Sequence, residues 1–185
     1  MIVTGIAGPA GSGKDEVADA IVRLNPKYSK DSFAAPLKDM LRIGLSLSEE
    51  QISGDLKETV SPVYGRSPRN MMQTLGTDWG RQLVGDDVWL RAFDRRLKGN
   101  TVVSDVRFEN EAAYVREHGV LIHVVRPRDL NTTAMGDNSS HVSESGIERH
   151  ASDYVIQNDG TKDQLYAKVA AMLQHFRSEW GNWDA

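Results

Sequence analysis

Residues 8–15 read Gly8-Pro9-Ala10-Gly11-Ser12-Gly13-Lys14-Asp15, between an apolar run at residues 1–7 and a helical pattern with Val17, Ile21 and Leu24 on one face. A segment of the form G-x-x-x-x-G-K-[ST] curls its backbone N–H groups around phosphate oxygens. Its lysine reaches the outer phosphates and its hydroxyl ligates Mg²⁺. The strand before it and the helix after it are part of the requirement, because the helix aims its positive N-terminus at the anion. A chain that opens this way is committed to a βα unit built around a nucleotide triphosphate. Gly11, Ser12, Gly13, Lys14, Asp15 and Glu16 are the residues expected to hold it. Asp15 stands where the hydroxyl belongs, and two readings of it are open: it orients Mg²⁺ or its waters, or it caps the helix.

The rest of the chain repeats the βα theme. Short β-rich runs fall at 1–6, 28–33, 101–105, 120–125 and 153–157, with helical patterns between them, as in a parallel sheet. Residues 109–118 read as a helix closed by Gly119. Residues 161–176 read as another, with Leu165, Val169, Met172, Leu173 and Phe176 on its buried stripe and a capping box from Thr161 and Gln164. The expected architecture is therefore α/β with a five-stranded parallel sheet. An excursion at 34–100, with helical patterns at 36–45, 68–83 and 88–97, covers one edge of the site. Residues 127–145, rich in Asn, Thr, Ser, Asp and Gly, read as a mobile lid.

A length of 185 residues fits one domain. The charged content of 26% and a mean hydropathy of −0.45 describe a soluble protein without a membrane span. A first strand starting at Met1 leaves no room for a leader peptide, and the lack of cysteine removes disulfides and thiolate sites, so a cytoplasmic setting is expected. A net charge of −4 opposes broad nucleic-acid binding, which needs a basic footprint.

Several side chains are candidates for chemistry. Asp105 ends the 101–105 strand, where ligands gather in a doubly wound sheet, and Arg107 follows. Asp105 can hold Mg²⁺ directly or through water, and Arg107 can grip a phosphate, or the two form a surface ion pair. Lys38, Arg42, Arg66, Arg69 and Arg81 lie in the excursion. Lys38 and Arg42 share a helical face at i and i+4, a repulsion that an anionic substrate relieves. Ser67-Pro68-Arg69 begins a helix, and Gln73, four residues after Arg69, is suited to reading a base edge. Phe33 and Trp89 are either stacking platforms for a base or plain core. Arg126 closes the 120–125 strand, placed to stack on adenine or approach phosphates, with Arg128 a weaker candidate. His141 and Glu144 suit lid hydrogen bonding better than a metal, and Asn158-Asp159-Gly160 reads as a tight turn with access to adenine.

Five stretches together resemble the deoxynucleoside monophosphate kinases of bacteriophages, members of the P-loop kinase group. They are Gly11-Ser12-Gly13-Lys14-Asp15, Ala35-Pro36-Leu37-Lys38-Asp39, Met72-Gln73-Thr74-Leu75-Gly76-Thr77-Asp78, Ser104-Asp105-Val106-Arg107, and Ile122-His123-Val124-Val125-Arg126-Pro127 continuing to His141-Val142-Ser143-Glu144. The aspartate after the loop lysine is characteristic of that family. The resemblance implies a three-layer α/β/α fold and transfer of the γ-phosphoryl of ATP to a deoxynucleoside monophosphate. It implies Lys14 and Asp15 serving ATP and Mg²⁺, with Lys38, Arg69, Gln73 and Thr77 serving the acceptor. Asp105 and Arg107 would meet the reacting phosphates, and Arg126 and the lid would close over ATP. It also implies a homodimer, and the host-cell cytoplasm if the chain is phage-encoded. The segment 45–65 is shorter than in longer members, which leaves acceptor preference open. Two rival readings stand beside this one: an animal-type phosphomevalonate kinase, which shares the GK-D loop and S-D-x-R but needs no Gln73, and a P-loop ATPase switch, which the acidic balance disfavours.

Overall fold

The computed structural model describes residues 1–126 and 146–181. The lid expected at 127–145, with Arg128, His141 and Glu144, and the tail at 182–185 lie outside the described residues. The chain divides into two compact units, Met1–Ser32 with Leu97–Ala185, and Phe33–Arg96.

The first unit is a sheet of five parallel strands: β1 (Val3–Ala7), β2 (Tyr28–Asp31), β3 (Asn100–Val103), β4 (Gly119–Val125) and β5 (Tyr154–Gln157), in the order β2-β3-β1-β4-β5. Its helices are α1 (Lys14–Leu24), α6 (Glu109–His118) and α7 (Lys162–Trp180), with α2 to α5 belonging to the second unit. All of β1 and β3 and most of β4 are buried, the mark of parallel strands covered on both faces. Alternation along β1 shows the two coverings. Ile6 joins Val17, Ile21, Val102, Ile122, Val124, Leu165, Val169 and Met172 in the core beneath α1 and α7. Gly5 points the other way, toward α6, where a Cβ would stand 2.7 Å from Val115.

Each strand of this unit and α6 lie within two residues of the sequence-based expectation, and α7 runs to Trp180, four residues past its expected end at 176. The capping box of α7 is present, with the Thr161 hydroxyl accepting from the Gln164 N–H and the Gln164 amide oxygen accepting from the Thr161 N–H. Leu24 departs from expectation. It is the last residue of α1 and is 38% exposed, while Ala18 and Ala20 join Val17 and Ile21 on the buried face.

The second unit contains α2 (Ala35–Gly44), α3 (Glu49–Ile52), a 3₁₀ turn (Asp55–Glu58), α4 (Pro68–Gln73) and α5 (Val88–Asp94). Its core is Leu37, Leu41, Leu47, Ile52 and Trp89, flanked by Met71, Met72 and Leu75. The helix expected at 68–83 is really α4 followed by a π-helical stretch, Thr74–Val84. Glycine and threonine at 74, 76, 77 and 80 disfavour a regular α-helix. The Trp89 indole sits against Gly80, where a Cβ would come within 2.6 Å of the ring, and its Nε1 donates to the Gly76 carbonyl at 2.7 Å.

Among the described residues no helix is long and apolar enough to cross a membrane. Phe176 closes the α7 stripe at 3% exposure. Phe176→Ala is expected to lower the unfolding free energy by about 3–5 kcal/mol, read as a lower denaturant midpoint with an unchanged slope.

Candidate active site

The loop after β1 is held by the strand ends around it. Gly8 lies against β4, and a Cβ there would come 2.4 Å from the Val124 carbonyl. Gly13 caps α1 at φ 101°, a conformation only glycine adopts without strain; a Cβ there would meet the Asn158 amide at 2.4 Å and approach the Arg126 guanidinium at 4.0 Å. Asn158 Nδ2 donates to the Ser12 carbonyl at 2.8 Å, and the Asn158 N–H donates to Val125 at 2.7 Å. The 158–160 turn, expected only as a possible adenine contact, therefore clamps the phosphate loop. Lys14 folds back over its own loop, donating to the carbonyls of Gly8 at 2.8 Å and Pro9 at 2.7 Å. The Ser12 hydroxyl is buried without a partner among the described residues.

Asp15 does not cap the helix. Gly13 occupies the cap without a side-chain bond, and the Asp15 carboxylate turns instead to the end of β3, where the Ser104 hydroxyl donates to it at 2.7 Å. Lys30 on β2 lies 3.3 Å from the same Asp15 oxygen and 2.9 Å from Asp19. Partial burial opposes the charge on Asp15, but the Ser104 hydroxyl and the Lys30 ammonium outweigh it and hold the carboxyl below its ordinary pKa. Asp105 follows Ser104 just past β3 and is half-buried. Arg107 is exposed, and the turn bearing it is fixed by Glu111. This buried carboxylate accepts from the N–H groups of Arg107 at 2.9 Å and Phe108 at 3.2 Å. Glu16 is paired with Lys162 at 2.9 Å, at the start of α7.

This donor set, with the Asp15 and Asp105 carboxylates and the Ser104 hydroxyl, is hard oxygen. It fits Mg²⁺, a cation that takes one or two protein carboxylates and completes its shell with phosphates and water. The roles of Ser104 and Glu111, and of Asn158 as a clamp on the loop, go beyond what the sequence pattern indicates. The position of Ser104 at a strand end beside an acid was the available signal. Nothing local foretells the Glu111 bonds, and the turn signal at 158–160 does not foretell the bond to Ser12.

The second unit holds the other candidates. Arg42 is paired with Asp39 at 2.6 Å and Glu49 at 2.7 Å. Its expected repulsion from Lys38 is thus relieved by protein carboxylates, not by a substrate. Arg96 also pairs with Asp39, Arg69 with Glu58, and Arg81 donates to the Asp86 carbonyl at 2.7 Å. Lys38, Gln73 and Thr77 are half-buried and the Arg66 side chain is exposed. The stacking reading of Phe33 and Trp89 is corrected: both are buried core residues, Phe33 against Phe93 with ring centroids 4.6 Å apart. A base cannot reach a ring face already covered by side chains.

Set against known proteins, residues 63–169 match the family model of deoxynucleotide monophosphate kinase. A protein of Acanthamoeba polyphaga mimivirus assigned as a deoxynucleotide monophosphate kinase is 30% identical across 95% of this chain and 97% of its own length. The chain belongs to the deoxynucleotide monophosphate kinase family. By that membership it is a nucleotide kinase, a phosphotransferase. The deoxynucleoside-5'-monophosphate kinase of Escherichia phage T5 is 35% identical over 55% of this chain but only 43% of its own length. The deoxynucleotide monophosphate kinase of Enterobacteria phage T4 is 33% identical over 58% and 46%. The matched part is thus under half of either phage enzyme. Shikimate kinase from Aquifex aeolicus has the same fold, with a TM-score of 0.50 at 10% identity over 96% of this chain and 99% of that one.

Beside the loop, β4 carries a buried ionic network. His123 pairs laterally with Ala7, the residue before Gly8, and its Nε2 lies 3.0 Å from Asp153. Asp153 also accepts from Arg116 Nε at 2.9 Å and from the His150 N–H at 2.9 Å. Burial alone would raise the Asp153 pKa; Arg116, the His150 N–H and His123 win and bring it to about 2. Burial pushes His123 below its ordinary value, with Asp153 opposing. Both folded-state values are depressed, so the stability they contribute is present above the unfolded values and is lost on acidification. It falls first below about pH 6.5 as unfolded histidine takes up protons, then between about 4 and 2 for Asp153. Asp153→Asn is expected to cost about 2 kcal/mol at pH 7, with the gap to wild type narrowing as pH falls toward 2 in denaturant melts.

Proposed function

We propose that the protein transfers the γ-phosphoryl group of ATP to a deoxynucleoside monophosphate, giving the diphosphate and ADP, with Mg²⁺ as the metal. The observation that carries this reading is the convergence of the Lys14 loop, Asp15, Ser104 and Asp105 at neighbouring strand ends in a member of this family. Lys14, now bonded to loop carbonyls, exchanges those partners for phosphate oxygens when nucleotide enters. The N–H groups of the loop and the start of α1 receive the anion. Mg²⁺, when bound, neutralises charge between the phosphates of the donor.

Arg107 and Arg126, both exposed, supply cationic forks to the transferring group and to ATP. Lys38, Arg66, Arg69, Gln73 and Thr77 take the acceptor, its phosphate displacing the carboxylate partner of Arg69. An acceptor phosphate oxygen is already deprotonated at neutral pH, so positioning and electrostatic stabilisation do the chemistry and no general base is assigned. The whole of 1–185 acts as one kinase, with 34–100 as the acceptor side and 127–145 as the lid. A cytoplasmic setting and a homodimer complete the proposal.

A panel of dGMP, dTMP, dCMP, AMP and phosphomevalonate, assayed with ATP by coupled ADP release, tests the acceptor class. Turnover with one or more deoxynucleotides is expected, and turnover with the isoprenoid alone overturns the proposal. Lys14→Ala is expected to lower kcat by about 10²–10³-fold while the thermal melt stays unchanged, the scale of losing a donor that stabilises charge in the transition state.

A further inference from the structure

Both contacts on the Asp15 carboxylate converge on one oxygen. Ser104 Oγ donates to Oδ1 at 2.7 Å, and Lys30 Nζ lies 3.3 Å from that same Oδ1. Among the described residues Oδ2 takes neither contact, and the side chain is 78% exposed. A carboxylate on a flexible side chain otherwise samples several rotamers, and fixing one of them before a ligand arrives removes that entropy from the binding step. Lys30 is shared with Asp19, which it meets at 2.9 Å. Ser104 is rigidly placed, as the residue directly after β3, whose register with β1 is set by Val3 to Thr101 and Gly5 to Val103.

We propose that Ser104 is a positioning residue for metal-bound nucleotide: its hydroxyl holds Asp15 by Oδ1 and leaves Oδ2 for the cation or its waters. The hydroxyl missing after the loop lysine is thereby returned from a different strand, acting through the acid that replaced it. This inference rests on the reading that the loop takes a Mg²⁺ nucleotide; it does not depend on which acceptor is used.

Titration calorimetry of ADP, once with Mg²⁺ and once with EDTA, separates the metal's contribution from that of the loop. For Ser104→Ala, affinity in EDTA is expected to stay within about twofold of wild type while the tightening by Mg²⁺ shrinks about tenfold, the scale of a lost hydrogen bond to a charged group. Ser104→Thr keeps the hydroxyl and should keep the tightening. In an Asp15→Ala background, adding Ser104→Ala should change nothing further, because Ser104 acts through Asp15. Full tightening in Ser104→Ala, equal losses with and without Mg²⁺, or a Ser104 effect that persists without Asp15 each overturn the proposal. Wild-type protein that binds no ADP in either condition overturns the nucleotide reading and the role of Ser104 with it. Failure of every deoxynucleotide acceptor would leave these binding differences in place, so the two failures are distinguishable.

Discussion

The lateral pairing of β1 with β3 on one side and β4 on the other is the constraint on which the phosphate end depends. Parallel ladders bring the carboxyl ends of the strands to one edge: Gly5 stands beside Val103, and Ala7 beside His123. The chain leaves β1 as the phosphate loop, β3 as Ser104 and Asp105, and β4 as Arg126. Residues about a hundred positions apart in sequence thus converge without any long side chain reaching for another. Gly5 is part of this arrangement, since a larger residue there would push α6 off the sheet through Val115 and Val106.

Much of this was legible in the sequence because the signals are local. A glycine-rich loop, apolar runs buried on both sides, and Thr161 with Gln164 each carry their meaning within a few residues. What stayed hidden depends on distant partners. The helical spacing of Lys38 and Arg42 suggested a vacancy for an anion, but Glu49 reaches Arg42 from α3, and no short-range pattern predicts that pair. Phe33 and Trp89 have the chemistry of a base platform, yet the core of the Phe33–Arg96 unit is small and uses both. The π-helical stretch after α4 brings Gly80 against the Trp89 indole, a contact invisible to periodicity.

Cations of the second unit rest on carboxylates: Arg42 on Asp39 and Glu49, Arg69 on Glu58, Arg96 on Asp39. These pairs are partly exposed, so water screens them and each is weak. A phosphate, with more charge and more acceptor oxygens than a carboxylate, can replace such a partner at small net cost.

The bond from Asn158 to Ser12 has a bearing on when the protein becomes competent. It joins the eighth to fifteenth residues of the chain to a turn 146 positions later in sequence. A ribosome delivers the phosphate loop well before its clamp. A nascent chain therefore carries the whole loop motif before it has the turn that holds that loop in shape. The loop thus reaches its clamped shape only after β5 and the turn behind it have docked beside β4.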